Sequence, residues 1–579
     1  MPTIDDLKAI IRQERRTREA EKFEDLFPMI AAGQGQTALE SLVFFTSPAD
    51  FLAFIERFQK VKVAGILSKD LETQERFLSF LVDLVLALRS FLPRWNLQSA
   101  SRHGHAAMSD EAIGNAAIRL QLEAVDLAAR TPPAAEQLLA LWRKETAARL
   151  KAEQSTDPEG EAQALVGESI EACLDNLSAA IARSHLRRIA EMRLTGETRT
   201  EISNDYAAFL PYTMYLGASF ATTNPPLVNM AWSAEPERWD PVADSLIQEN
   251  HDAEAADLAK LFTQEVVFAQ MRLLRPVFLL TEGEMGCVCL QVNPANHADP
   301  DAMLRDAHYF FENFKHRLAG GIPNVVFKLP GTNAGLSACR SLTRQGIGVT
   351  ITVNFGMFQH LPFAEAMRAG HAIYSNIVEM SGRLSYPVRD ELLSKLDELA
   401  AFKIDEGKAR EAAAWAGIAV VKRMVSMLKA NGYDLGRYKP LIASLRIYHG
   451  EGYQNLPNPY PDITEVVGAS LISVFPNVRN PFDTQPALEL KPNQVDEPVA
   501  ADILDVLCHS EIFKQAYYVD NPAWLAKEDE KYLPAFPLKL EDEEAVYTWK
   551  PVNSTLVEFI KAYETTIQRL AERKQQLPR

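Results

Sequence analysis

From about residue 198 onward the chain carries eight short apolar runs of strand length, each followed by a stretch of different character. They read TEISND, GASFATTNPP, GCVCLQVNP, NVVFKLPG, GVTITVNF, HAIYSNIV, PLIASLRIY and SLISVFPN. Between them lie helical patterns such as DPDAMLRDAHYFFENFKHRL and NAGLSACRSLTRQG. Strands alternating with helices predict repeated strand–helix units and a parallel sheet. Eight is the number that closes a (β/α)8 barrel, whose interior is filled by the runs' own side chains. The expected fold class is therefore α/β, a TIM barrel preceded by an all-α N-terminal domain.

The preceding domain follows from a different period. From residue 1 to about 190, apolar positions recur at three and four, as in FLAFIERFQKV, AIRLQLEAVDLAAR and EQLLALWRKETAARL, with almost no β-branched runs. Breaks are expected at Pro93, at NLQSASRHGH, at Pro132-Pro133 and at EQSTDPEGEA, the last as a linker. The expected division is residues 1–190 as a helical extension and residues 191–579 as the barrel with a helical tail. In that tail Leu556, Phe559, Ile560, Tyr563, Ile567 and Leu570 share one face, and Thr555-x-x-Glu558 is read as a capping box.

Net charge is −17, from 60 basic and 77 acidic residues, so generic attraction to nucleic acid or an anionic membrane is disfavoured. An anionic ligand then needs a local basic site. Five cysteines without framework or metal-type spacing fit a reducing compartment, and Cys287-x-Cys289 reads as two buried strand thiols. His103-x-His105 reads as a solvated loop rather than a metal site. The polar start MPTIDDLKAIIRQERR is expected to be neither signal nor anchor. Phe77 to Leu92, the most apolar segment, is broken by Asp83 and Arg89 and reads as a core helix, short of the ~20 residues a span needs. A cytoplasmic protein without metal or cofactor is expected, with homo-oligomerisation left open.

In a barrel, strand C-terminal ends converge on one face, and polar groups scattered along the sequence meet there. Asp205, Asn224, Gln291, Lys328 and Arg446 all stand at or near the ends of runs. A lysine at such a mouth, desolvated by Val325, Val326 and Phe327, has its ammonium form disfavoured, and a neutral amine is a nucleophile able to form a Schiff base with a ketone. Asp205 can move the proton of a hydroxyl that becomes a carbonyl. Asn224 and Thr352 offer neutral hydrogen bonds, and Arg383 and Arg446 offer forks for a phosphate. Gly331-Thr-Asn-Ala-Gly335 lacks the Gly-Lys-Ser/Thr ending of a P-loop, so nucleotide binding is not expected.

Five blocks in order, ISND with ATTNP, NVVFKLPGTNAG, GIGVTITVNFGMFQ, GRL and IASLR, make residues 200–480 similar to the transaldolases and the related fructose-6-phosphate aldolases. The resemblance implies Lys328 as Schiff-base lysine, Asp205 as general acid/base, Gln291 and Thr352 as polar partners in catalysis, and Asn224, Ser444, Arg446 and Arg383 as substrate contacts. It implies transfer of a dihydroxyacetone unit from a ketose phosphate to an aldose, in the pentose phosphate pathway. Two departures stand out. CLQVN puts Gln291 where the family's glutamate handles protons, which points toward simple aldol cleavage as the alternative. In HAIYSNIVEMSGRL either Ser375 or Val378 falls on the family's sixth-strand serine. A non-catalytic sugar-phosphate-binding scaffold is the reading from another class.

Overall fold

A computed structural model describes residues 2–19, 26–99, 106–521, 523–524 and 527–577. His103 and His105 lie outside the described residues. Eight parallel strands close in sequential order into a barrel: β1 (Glu201–Asn204), β2 (Ala218–Ala221), β3 (Cys287–Gln291), β4 (Val325–Pro330), β5 (Val349–Thr352), β6 (Ser375–Met380), β7 (Tyr438–Ala443) and β8 (Leu471–Val474). Every expected run supplies one strand. All residues of these strands are buried, because helices cover the outside while side chains fill the inside; this is why the runs read as continuous apolar stretches rather than alternating ones. The barrel is the α/β fold expected, and among the described residues every element between residues 4 and 194 is a helix.

Strand register sorts side chains into inner and outer sets. Gln291 pairs with Lys328, Lys328 with Thr350, Asn376 with Lys439, and Glu201 with Leu471, so these residues share the inner face. Contacts agree with that parity: Lys439 meets Glu201 across the barrel floor, whereas Glu379, one residue out of step, leaves the barrel to meet His360 on the helix Met357–Arg368. Burial pushes Glu379 well above the usual carboxylate range, with Asp462 adding to it, and brings His360 down to about 3. The two side chains lie 2.9 Å apart, and burial disfavours the charged form of each.

The first helix, Ile4–Glu19, closes the lower end. Lys8 pairs with Glu284 at 2.7 Å and Arg12 with Glu282 at 3.0 Å, both on the turn that enters β3. Further on, the helix Leu71–Arg89 is the centre of the helical region, flanked by Asp110–Arg130, Pro132–Ala152 and Ile170–Arg183. It is the core helix expected around Phe77, and no described helix is long and apolar enough to cross a membrane. The apolar core is continuous from Ile11 to Phe559 through both halves. Cys287 and Cys289 are buried free thiols, as expected.

Two local expectations are corrected. EQSTDPEGEA is no linker: Asp157 caps a helix, Pro158–Val166, by accepting from Gly160 N at 3.1 Å, with Pro158 pre-set in the first turn. Thr555 caps nothing, because the C-terminal helix starts earlier and runs from Lys550 to Gln576, with Pro551 in its first turn. Thr555 is buried mid-helix, and Glu558 is released to bind elsewhere.

Asp83 carries a pH prediction. Burial, with Glu145 adding to it, raises its carboxyl to about 7, opposed by Ser79. The folded chain therefore favours the protonated form, and the stability present below about pH 4 is lost as pH rises toward 7. Asp83→Asn should flatten this loss and gain on the order of 2 kcal/mol over the parent at pH 8. Thermal melts of both proteins from pH 5 to 8 read the difference.

Candidate active site

Lys328 is the fourth of six residues in β4, points inward, and is 6% exposed. Among the described residues it has no carboxylate partner: its Nζ lies 3.4 Å from Thr223 O and 5.9 Å from the Phe559 ring centroid. The other inward lysine, Lys439, is paired with Glu201 and donates to Glu284 O at 2.6 Å. One barrel thus holds a lysine ion-paired with an acid at its lower end and, nearer its upper end, one that makes no ion pair among the described residues.

The turn after β4 is built for close approach. Pro330 ends the strand, Thr332 caps the helix Asn333–Arg344 by accepting from Gly335 N at 3.1 Å, and a Cβ on Gly335 would lie 2.0 Å from Pro330 O. Thr332 also donates to His297 O at 3.0 Å. Gln359, the last residue of the GIGVTITVNFGMFQ block, is fully buried and explains its place there. Its amide donates to Gly331 O at 2.7 Å and Val353 O at 3.0 Å, and accepts from Phe355 N at 2.9 Å. Val353 has φ +52°, a strained conformation for a β-branched residue, and Gln359 holds it.

Asp205 follows β1 directly and keeps part of its surface open. Its Oδ1 accepts from Thr222 Oγ1, which lies 3.2 Å from Ser473 Oγ; Ser473 in turn donates to Ser203 Oγ at 3.1 Å. Burial raises the carboxyl above its usual range, against Lys328, the Thr222 hydrogen bond, Arg383 and Arg446, which all favour the anion. Lys328 and both arginines thus act electrostatically on one carboxylate. The hydroxyl chain through Thr222, Ser473 and Ser203 was missed in the sequence; inward parity on β8 and β1 was its only signal.

The helical half also reaches this residue. Glu153, at the end of Pro132–Ala152, is buried between Arg149, at 2.8 Å, and Arg479 of the helix Pro476–Asp483. Burial works against the charge of Glu153, yet the two arginines hold its carboxyl below the usual range. Arg479 donates to Asn204 Oδ1 at 3.3 Å, and Asn204 donates to Tyr206 O at 2.8 Å and Ala208 O at 3.1 Å. The segment that carries Asp205 is therefore braced through Asn204 by Arg479, 275 positions away in the chain, and Arg479 is held in turn by Glu153 of the helical half.

Gln291, 8% exposed, sits beside Lys328 in register, and its Oε1 has no hydrogen-bond partner among the described residues. Thr352 points inward at the end of β5 and donates to Met380 Sδ at 3.7 Å. Asn354, two residues on, is wholly buried, and neither of its amide atoms has a hydrogen-bond partner among the described residues. Asn224 caps the helix Pro225–Ala234 by accepting from Leu227 N at 2.9 Å, which leaves its NH2 free of that duty. Neither candidate for the sixth-strand serine supplies a hydroxyl at the mouth. Ser375 starts β6 at the lower end, where its Oγ accepts from Val349 N, and Val378 is apolar. The hydroxyl at the upper end belongs to Ser381, which donates to Asp462 at 2.6 Å.

Arg383 and Arg446 come together because of two turns. A Cβ on Gly382 would lie 2.4 Å from Arg446 Cγ, so glycine alone lets the Arg446 side chain cross the end of β6. Ser444 has φ +58° immediately after β7, which turns the chain toward the mouth, and Arg446 N donates to Asp462 at 2.8 Å. The Arg446 guanidinium lies 5.2 Å from the Tyr386 ring. Arg383 is held by Glu558 of the C-terminal helix, at 2.7 Å on both nitrogens.

The eight-stranded parallel barrel thus carries an inward lysine on its fourth strand, with no ion-pair partner among the described residues, and an aspartate directly after its first strand, both toward the strand C-termini. Residues 205–475 match the family model described as Transaldolase/Fructose-6-phosphate aldolase. Transaldolase 2 of Nostoc sp. is 28% identical over 209 residues, 33% of this chain and 51% of the relative. Transaldolase 1 of Streptomyces avermitilis is 30% identical over 151 residues, 26% and 37% of the two chains. The transaldolase of Acidobacterium capsulatum is 25% identical over 271 residues, 46% and 68%. The chain thus spans about half or less of the first two relatives. The long helical region before the barrel lies outside the family match.

Proposed function

We propose that the protein is a transaldolase-type transferase acting on sugar phosphates. Lys328 Nζ attacks the carbonyl carbon of a ketose phosphate such as fructose 6-phosphate or sedoheptulose 7-phosphate, and loss of water gives an iminium. Asp205 accepts the proton of the C4 hydroxyl as the C3–C4 bond breaks, releasing an aldose phosphate. The electrons of that bond reside in a dihydroxyacetone enamine on Lys328. An acceptor aldehyde then adds to the enamine carbon, Asp205 returns the proton to the new hydroxyl, and water releases the ketose product. Asn224 and Thr352 contact hydroxyls, and Arg383, Arg446 and Ser444 hold the phosphate.

The observation that carries this reading is the position of Lys328: buried, inward, without a carboxylate partner, and electrostatically coupled to Asp205. Gln291 favours a second outcome at the same site. Its carbonyl, unpartnered among the described residues, can position water beside Lys328 but cannot ionise; if the proton held by Asp205 passes to the enamine carbon before an acceptor arrives, water hydrolyses the resulting iminium and the enzyme is an aldolase.

Incubation with fructose 6-phosphate followed by borohydride should leave a three-carbon adduct on Lys328, read by peptide mass spectrometry. Erythrose 4-phosphate then separates the outcomes, since transfer yields sedoheptulose 7-phosphate and cleavage yields free dihydroxyacetone. Absence of an adduct with every ketose phosphate tried sinks the enzyme reading and leaves the sugar-phosphate scaffold.

A further inference from the structure

Arg383, one of the two arginines assigned to phosphate, is not vacant. Arg383 Nη1 meets Glu558 Oε2 and Nη2 meets Glu558 Oε1, both at 2.7 Å, the parallel fork in which a guanidinium takes a carboxylate or a phosphate. The next residue, Phe559, is 1% exposed, with its ring centroid 5.9 Å from Lys328 Nζ and 5.6 Å from Arg383 Cζ. Two consecutive residues of one helix therefore reach the anion-binding group and roof the amine.

The arrangement is anchored on both sides. Upstream, Trp549 packs edge-on against Phe355, in the turn after β5, and Phe358, in the first turn of the helix that follows. Downstream, Asn229 donates to Ala562 O at 2.7 Å, Thr566 donates to Asn229 at 3.0 Å, and Arg573 pairs with Asp244. The helix is thus held in place while Glu558, with 49% of its side chain exposed, can leave Arg383 by rotating. Arg383 holds the Glu558 carboxyl below its usual range, burial opposing and Arg446 adding to the effect.

We propose that Glu558 is a specificity-determining residue whose carboxylate occupies Arg383 until a substrate phosphate exchanges with it. This rests on the reading of Arg383 and Arg446 as phosphate residues. A phosphate dianion brings a second charge and three oxygens, enough to engage both arginines. A neutral hydroxymethyl end brings neither, leaves Glu558 in place, and meets Phe559 over Lys328. The site accordingly favours phosphorylated ketoses through competition with a protein anion.

Titration calorimetry of inorganic phosphate into the full chain tests this, with Glu558→Gln and Glu558→Ala as variants and circular dichroism as the folding check. Both should tighten the phosphate Kd about fivefold to tenfold. They should also speed borohydride trapping of unphosphorylated dihydroxyacetone on Lys328. A phosphate Kd within about twofold of the parent in both folded variants overturns the proposal. The phosphate readout needs no turnover, so the two readings fail separately. Tighter phosphate binding without a ketose adduct on Lys328 removes the aldol chemistry and keeps the competitor; an adduct with unchanged phosphate affinity does the reverse.

Discussion

Lys328→Met is expected to fold as well as the parent and to lose turnover by about 10⁴-fold or more, because no other described group can replace a covalent nucleophile at that point of the barrel. No carboxylate depends on Lys328 for its neutralisation in an ion pair, so the substitution strands no partner at hydrogen-bond distance. A thioether of similar length fills the same space under Phe559. Asp205→Asn should retain the borohydride adduct with pre-formed dihydroxyacetone yet slow cleavage of a ketose phosphate by about 10²–10⁴-fold, since in the proposed mechanism it removes only the proton acceptor. Steady-state kinetics with melting curves decide the case. A Lys328→Met protein that keeps even a hundredth of the parent rate would transfer the chemistry to another group.

Lys439→Met should do the opposite: little direct effect on chemistry and a stability loss of about 3–5 kcal/mol. Lys439 and Glu201 are each 2% exposed in their side chains, at the lower end of the barrel, with Ser219 donating to Glu201 at 3.2 Å and Arg193 at 3.4 Å from it. Burial pushes the Lys439 ammonium down, and Glu201 opposes the shift. Removing the ammonium leaves a buried carboxylate short of its main counter-charge, the costly half of breaking such a pair. Replacing both, as Lys439→Met with Glu201→Leu, should recover most of the loss. Urea unfolding of the single and double variants measures it, and additive losses would contradict the pairing.

These two lysines show how much was legible. Val325–Val326–Phe327–Lys328 and Tyr438–Lys439–Pro440 both place a cation in an apolar run, and nothing local distinguishes them. Lys328 was singled out by the blocks around it and by its place at a strand end. The barrel itself was legible because each run had to be apolar on both faces and each intervening helix carried its own period. The alignment of Gln291, Lys328 and Thr352 near one end followed from strand order alone.

What was not legible depends on groups distant in sequence. Glu558 read as the partner of Thr555 in a capping box, a local argument, and it is Arg383 that claims it, 175 residues away. Arg479 and Glu153, which brace Asn204 beside Asp205, had no motif to mark them. That neither Ser375 nor Val378 places a hydroxyl at the mouth depends on position along β6 and on side-chain type: one lies at the lower end and the other is apolar.

Taken alone, the chain's pattern of apolar runs and turn residues determined eight strands, their order, and the end of the barrel on which polar groups meet, because period and strand–helix alternation leave few other ways to bury those runs. Only tertiary structure decided which lysine is paired and which is not, what holds the Asp205 segment, and that a carboxylate from the last helix sits on Arg383. Those are questions of which charges share a low-dielectric space. The answer depends on packing between segments hundreds of residues apart, where spacing along the chain carries no information.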